Sequence, residues 1–142
     1  MEAKVLLVDD EKDFLESMSE RMRLRGMDVI TSSSAKEALE VIENDVFDAI
    51  ILDIQLPEMD GMAVLKKIKT KHPEAQVILL TGHASLEKGV EAIKIGASDY
   101  LEKPADMEAL SKKIKEAKTE KMLIVRKQEL DSVLDTIKKY GI

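Results

Sequence analysis

The sequence predicts a doubly wound α/β fold, with five parallel strands flanked by five helices and a helical C-terminal extension. Two observations carry that expectation. Short apolar runs alternate five times with segments of helical periodicity, the pattern of a βα-repeating domain. The runs are apolar almost throughout rather than at every second residue, as expected of strands covered on both faces and therefore parallel. The intervening helices, each about ten residues or more, are long enough for right-handed crossovers.

Each element follows from local chemistry. Lys4 to Val8 (KVLLV) reads as the first strand. From Lys12 to Arg25, Phe14, Leu15, Met18, Met22 and Leu24 recur at helical spacing, and Gly26 stops the helix. Asp28 to Thr31 is a short second strand. Ser34 and Glu37 form a capping box, in which the hydroxyl accepts an early backbone N–H while the carboxylate reaches back. The helix behind it runs to about Asn44, with Ala38, Leu39, Val41 and Ile42 on its apolar side.

Ala49 to Asp53 (AIILD) is the third strand, apolar until its last residue. Pro57 and Asp60-Gly61 mark a loop, and a helix follows from Met62 to about Lys71. Gln76 to Thr81 is the fourth strand, Ser85 to Ile95 a helix closed by Gly96, and Ser98 to Glu102 the fifth strand. Lys103-Pro104 ends that strand, and the last helix starts near Ala105.

Composition narrows the classes. The chain has 142 residues, enough to bury a core without covalent staples. It has no Cys, which excludes disulfides and thiolate–metal sites and fits a reducing cytoplasm. No apolar run approaches the roughly 18 residues of a membrane span, and the N-terminal residues do not resemble a signal peptide. A formal net charge of −6 argues against general nucleic-acid binding. Residues 1–104 carry 13 basic and 21 acidic groups while residues 105–142 carry 9 and 7, so the acidic body and slightly basic tail differ in kind.

Ligands in open α/β sheets sit beyond the carboxyl ends of the strands. There the sequence places Asp9 and Asp10, Asp53, Thr81 and Lys103. Three converging carboxylates repel by about 4 kcal/mol per pair at 4 Å and an effective dielectric of 20. A divalent cation relieves this, and the hard oxygen set suits Mg²⁺ rather than zinc. A carboxylate beside Mg²⁺ can attack phosphorus, with the Lys103 ammonium and the Thr81 hydroxyl neutralising the phosphoryl oxygens.

The order of these residues resembles the response-regulator receiver family. Asp53-Ile54-Gln55-Leu56-Pro57-Glu58-Met59-Asp60-Gly61 matches its D-x-x-x-P-x-x-D-G loop. Thr81-Gly82-His83-Ala84 looks like its Thr-bearing loop, and Gly96 to Pro104 is similar to its G-A-x-D-Y-x-x-K-P stretch. The resemblance covers about residues 3 to 118 and implies the strand order 2-1-3-4-5. It implies that Asp53 accepts a phosphoryl group from a histidine kinase or a histidine phosphotransfer protein. It further implies that Asp10, Asp53 and the Gln55 carbonyl bind Mg²⁺, with Asp9 acting through water. Thr81 would swing toward the phosphoryl group, Tyr100 would turn inward behind it, and Lys103 would contact it, with Lys103-Pro104 cis. Gln55 and His83 hold the positions that tune phosphoryl lifetime in the family.

Such a protein is a phosphoacceptor that catalyses its own phosphorylation and slow dephosphorylation, not a turnover enzyme. An aspartyl-phosphate phosphohydrolase of the haloacid-dehalogenase class carries a second Asp two residues after the nucleophile, where this chain has Gln55. An unphosphorylated adaptor of the same shape usually lacks one of the five groups, and none is missing here.

The receiver is expected over residues 1–118 and a helical extension over 119–142. In the extension Leu123, Leu130, Val133, Ile137 and Tyr140 form a stripe out of register with Leu110, Ile114 and Ala117. Either the helix breaks near Thr119, a possible N-cap, or one long helix presents two faces. The stripe either folds back on the receiver or meets a partner or second copy. The tail is too short for a helix-turn-helix output domain. The expected output is therefore a protein–protein contact with a downstream target, or a homodimer, through the face of helix four, strand five and helix five or through the C-terminal helix.

Overall fold

The computed structural model describes residues 2–104 and 106–141. Five strands, β1 (Lys4–Val8), β2 (Asp28–Ser32), β3 (Ala49–Asp53), β4 (Val77–Thr81) and β5 (Asp99–Glu102), alternate with five helices. These are α1 (Lys12–Leu24), α2 (Ala35–Asn44), α3 (Gly61–Lys71), α4 (Leu86–Ile95) and α5 (Met107–Tyr140). Every expected element forms, with ends displaced by one or two residues. The expected start of the last helix at Ala105 lies outside the described residues.

All strand pairings are parallel and the order is β2-β1-β3-β4-β5. Alternate side chains of each strand enter opposite layers. Leu6, Val8, Ile50, Leu52, Val77 and Leu79 pack with α2, α3 and Ala92 of α4. Val5, Leu7, Ile51, Ile78 and Leu80 pack with Leu15, Met18 and Met22 of α1 and with Leu110 and Ile114 of α5. This two-sided covering is the physical reason for the uninterrupted apolar runs. Between β1 and β3 the connections diverge to opposite faces, so a crevice opens at the carboxyl ends of those two strands.

Caps explain several boundaries. Ser34 accepts from Glu37 N at 3.1 Å, Ser85 from Lys88 N at 3.2 Å and Asp60 from Met62 N at 3.1 Å. Only half of the expected capping box forms among the described residues. The backbone N–H of Ala35, the first residue of α2, donates to the Glu58 carboxylate.

The expected break near Thr119 does not occur. α5 is one helix of 34 residues, and the Thr119 hydroxyl donates to the Lys115 carbonyl 3.2 Å away instead of capping a new helix. Two lysines hold this region to the body: Lys118 donates to the Glu2 carbonyl, and Lys121 to the Phe47 carbonyl at 2.5 Å. Contact with the body therefore extends past the expected boundary at residue 118. Burial of Lys121 pushes its ammonium below the ordinary lysine range, against the upward pull of Asp48 and Glu74. Beyond Val125 every described residue of α5 is exposed, so the extension does not fold back. Among the described residues no helix is long and apolar enough to cross a membrane.

Candidate phosphoryl-acceptor site

Parallel pairing puts the strand ends at one level, with Val8 opposite Leu52 and Asp53 opposite Leu80. That register converts distant residues into one cluster. Carboxylate oxygens of Asp9, Asp10 and Asp53 lie within 4.8 Å of one another. Asp9 and Asp53 are buried, and Asp10 is exposed.

Lys103 enters from the end of β5. Its Nζ lies 2.5 Å from Asp9 Oδ2 and 3.2 Å from Asp53 Oδ2. Burial is the largest single influence on this ammonium and lowers its pKa. The hydrogen bonds and charges of Asp9 and Asp53 together outweigh burial, so the net shift is upward and Lys103 stays charged. The remaining oxygens are also engaged. Asp9 Oδ1 accepts from Glu11 N at 2.9 Å, and Asp53 Oδ1 accepts from Gln55 N at 3.0 Å. The Asp9 and Asp53 carboxylates thus each have both oxygens on protein donors, whereas Asp10 faces solvent.

One ammonium cannot balance three carboxylates. The donor set is all oxygen and contains no His or Cys, so the residues present fit a hard divalent cation such as Mg²⁺.

Thr81 is buried, and its Oγ1 accepts from His83 N at 3.2 Å. Its hydroxyl is therefore tied to its own loop rather than to the acids. The Tyr100 hydroxyl accepts from Ser85 N at 3.3 Å, and its half-buried ring lies against Gly89 of α4. Gln55 and His83 are exposed. The Lys103-Pro104 bond is cis.

Three contributors were not singled out from the sequence. Phe14 of α1 has its ring 4.2 Å beneath the Lys103 ammonium, which restricts that side chain to the crevice. Its helical spacing marks it only as core. Glu102 accepts from Ala84 N at 3.1 Å, so β5 holds the loop after β4 at both Ala84 and Ser85. Glu58 ties the loop after β3 to the start of α2. Charge on a loop or strand end has no periodicity to reveal such roles, although Glu102 stands opposite Thr81 in the parallel register.

The loop after β3 returns on itself through a bridge between Gln55 and Asp60. Gly61 makes that return possible, because a Cβ there would fall 2.5 Å from Ile54 Cα and 2.7 Å from the Asp53 carbonyl oxygen. Both neighbours are backbone and cannot step aside. Gly61→Ala is expected to destabilise the protein by about 1–3 kcal/mol, the range for overpacking, in urea unfolding. It should also weaken divalent-cation binding by displacing Asp53.

The model of the response regulator receiver domain matches residues 5–115. The chain is 39% identical over 110 residues to the response regulator protein FleR of Pseudomonas aeruginosa, covering 78% of this chain and 23% of FleR. It therefore spans under a quarter of that relative's length. Its structure is similar to a receiver domain protein from Clostridium thermocellum, at a TM-score of 0.82 and 36% identity, covering 86% of this chain and 98% of that one. It is also similar to the beryllofluoride-activated NtrC4 receiver domain dimer, at a TM-score of 0.79 and 37% identity, covering 83% and 98%. With three acids and one lysine gathered at the sheet's crevice and a family match over most of its length, the chain belongs to the response regulator receiver domain family.

Proposed function

We propose that Asp53 accepts a phosphoryl group from the phosphohistidine of a histidine kinase or histidine phosphotransfer protein in the cytoplasm. The observation that carries this reading is the Lys103 ammonium bridging Asp9 and Asp53 beside the exposed Asp10. An Asp53 oxygen forms the new O–P bond as the donor's P–N bond breaks and the imidazole leaves. Lys103 then exchanges its Asp53 contact for a phosphoryl oxygen.

Asp10, Asp53 and the Gln55 carbonyl would hold Mg²⁺ directly. Asp9, which holds the Lys103 ammonium at 2.5 Å against 3.2 Å for Asp53, would act through water. Bound Mg²⁺ supplies positive charge to the phosphoryl oxygens. Cation at a hundred times its dissociation constant should stabilise the protein by about 2.7 kcal/mol in urea unfolding. Asp10→Asn should remove most of that gain while leaving the fold intact, since Asp10 is exposed.

Phosphorylation adds about −1.5 to −2 charges at Asp53. Thr81 would release His83 N–H and donate to the phosphoryl group, and Tyr100 would leave Ser85 N and turn inward. Both movements loosen the start of α4, which buries only Ala92 and exposes Leu86, Val90 and Ile93. The face formed by α4, β5 and α5 is thus the readout surface for a downstream protein or a second copy. The dimeric state of the activated NtrC4 receiver supports the second copy. Exposed Gln55 and His83 would set how readily water reaches the acyl phosphate, which makes the chain a phosphoacceptor with slow self-dephosphorylation. The direct test is transfer of a labelled phosphoryl group from a small phosphodonor with Mg²⁺. A wild-type chain that stays unlabelled removes the proposal.

A further inference from the structure

The projecting part of α5 has two chemically different faces. Leu123, Lys127, Leu130, Leu134 and Ile137 follow one another at spacings of four, three, four and three. This is the heptad seam of a coiled coil. The leucines and isoleucine in it are all exposed, Leu130 at 57% and Leu134 at 51%. From Gln128 onward the opposite face, Gln128, Glu129, Ser132, Asp135, Thr136 and Lys139, is wholly polar. A rod with an uncovered apolar stripe gains nothing from standing alone in water.

We propose that residues Leu123 to Tyr140 form a parallel, in-register, two-stranded coiled coil with a second copy of this chain. Three features select that occupant. The seam lies about 140° around the helix from Leu110, Ile114 and Ala117, which hold α5 to the body, at 100° per residue. A second copy can therefore approach along a two-fold axis without meeting the receiver. The seam is bounded as well. Its continuation toward the body would fall on Glu120, Glu116 and Lys113, and it ends at Gly141, which adopts a left-handed conformation with φ of 66°.

The flanking charges are self-complementary in one orientation. Arg126 and Asp131 stand five residues apart on the two edges of the seam. Parallel in-register pairing sets Arg126 of each copy against Asp131 of the other, so the ion pair forms twice. Lys127 is the one charged seam residue between Leu123 and Ile137. A single polar residue at such a position favours in-register pairs at a cost in stability, its aliphatic stem covering the seam while the ammonium reaches water. The seam from Leu123 to Ile137 is about 21 Å long, so the association is weak and concentration-dependent. It does not depend on phosphorylation of Asp53.

The absence of native cysteine makes the test direct. On the full chain, Ile137→Cys should give a disulfide-linked dimer under mild oxidation, and Asp135→Cys, on the polar face, should not. Sedimentation equilibrium of the wild type should show reversible dimerisation that Leu130→Glu with Leu134→Glu abolishes. Arg126→Asp should weaken it about tenfold, and adding Asp131→Arg should restore it. A wild type that stays monomeric throughout the accessible concentrations overturns the inference. So does equal cross-linking at positions 135 and 137, or cross-linking only between Leu123→Cys and Ile137→Cys chains, which is the antiparallel result. Phosphoryl labelling of Asp53 measured on the same variants reports separately on the acceptor proposal.

Discussion

Asp53→Asn is expected to reduce phosphoryl acceptance to background while leaving a folded protein. The amide is nearly the shape of the carboxylate, and its carbonyl oxygen can still accept from Gln55 N. What it lacks is the anionic oxygen that would attack phosphorus. It also removes one of three carboxylates whose oxygens lie within 4.8 Å of one another. Each such pair repels by about 4 kcal/mol at 4 Å and an effective dielectric of 20, so relief of repulsion offsets the lost contact to Lys103. The variant should therefore be at least as stable as wild type without Mg²⁺ and should respond less to the cation. Labelling by a phosphodonor, read beside urea unfolding with and without Mg²⁺, separates the outcomes. Retained labelling at wild-type level would reject Asp53 as acceptor, and loss of labelling with loss of folding would leave the effect structural.

The second large effect is expected at Lys103. Its Nζ donates to Asp9 Oδ2 at 2.5 Å, and the Asp9 side chain is only 1% exposed. Lys103→Met keeps most of the aliphatic length but removes the ammonium and its contact with the Phe14 ring, leaving a buried carboxylate facing Asp53 and Asp10. Breaking a buried pair by removing one partner costs about 3–5 kcal/mol. Access of water to the open crevice places the expected loss near 3 kcal/mol. Added Mg²⁺ should recover more stability in this variant than in wild type, because the dication replaces the missing charge. Lys113→Met is the matched control. The Lys113 ammonium is held above its ordinary range chiefly by its hydrogen bond to Asp99, 2.9 Å away, but the pair is solvated, and no measurable loss is expected. Equal stabilities for Lys103→Met and wild type would show that the lysine does not hold the acids.

The elements and the candidate chemistry were legible in the residues alone. Val5 to Val8, Ala49 to Leu52 and Val77 to Leu80 could be read as buried parallel strands because an uninterrupted apolar run has few other places to lie. Asp9, Asp10, Asp53, Thr81 and Lys103 could be placed on one rim because strands in a parallel sheet all end on the same side.

How those groups are engaged follows from the packed fold. That Lys103 takes Asp9 at 2.5 Å and Asp53 at 3.2 Å depends on the order of β1, β3 and β5 in space, and that Phe14 lies beneath it depends on how α1 is seated. Thr81 bonded to His83 N and Tyr100 bonded to Ser85 N are conformations of a loop, which local propensity does not specify. The tail shows the same division. Its apolar stripe is written in the spacing of Leu123, Leu130 and Ile137. The continuity of α5 through Thr119, and the exposure of every described α5 residue beyond Val125, are not written in that spacing. Periodicity records which side chains share a face. What that face meets is settled by long-range packing, because the energies that choose it come from residues far apart in the chain.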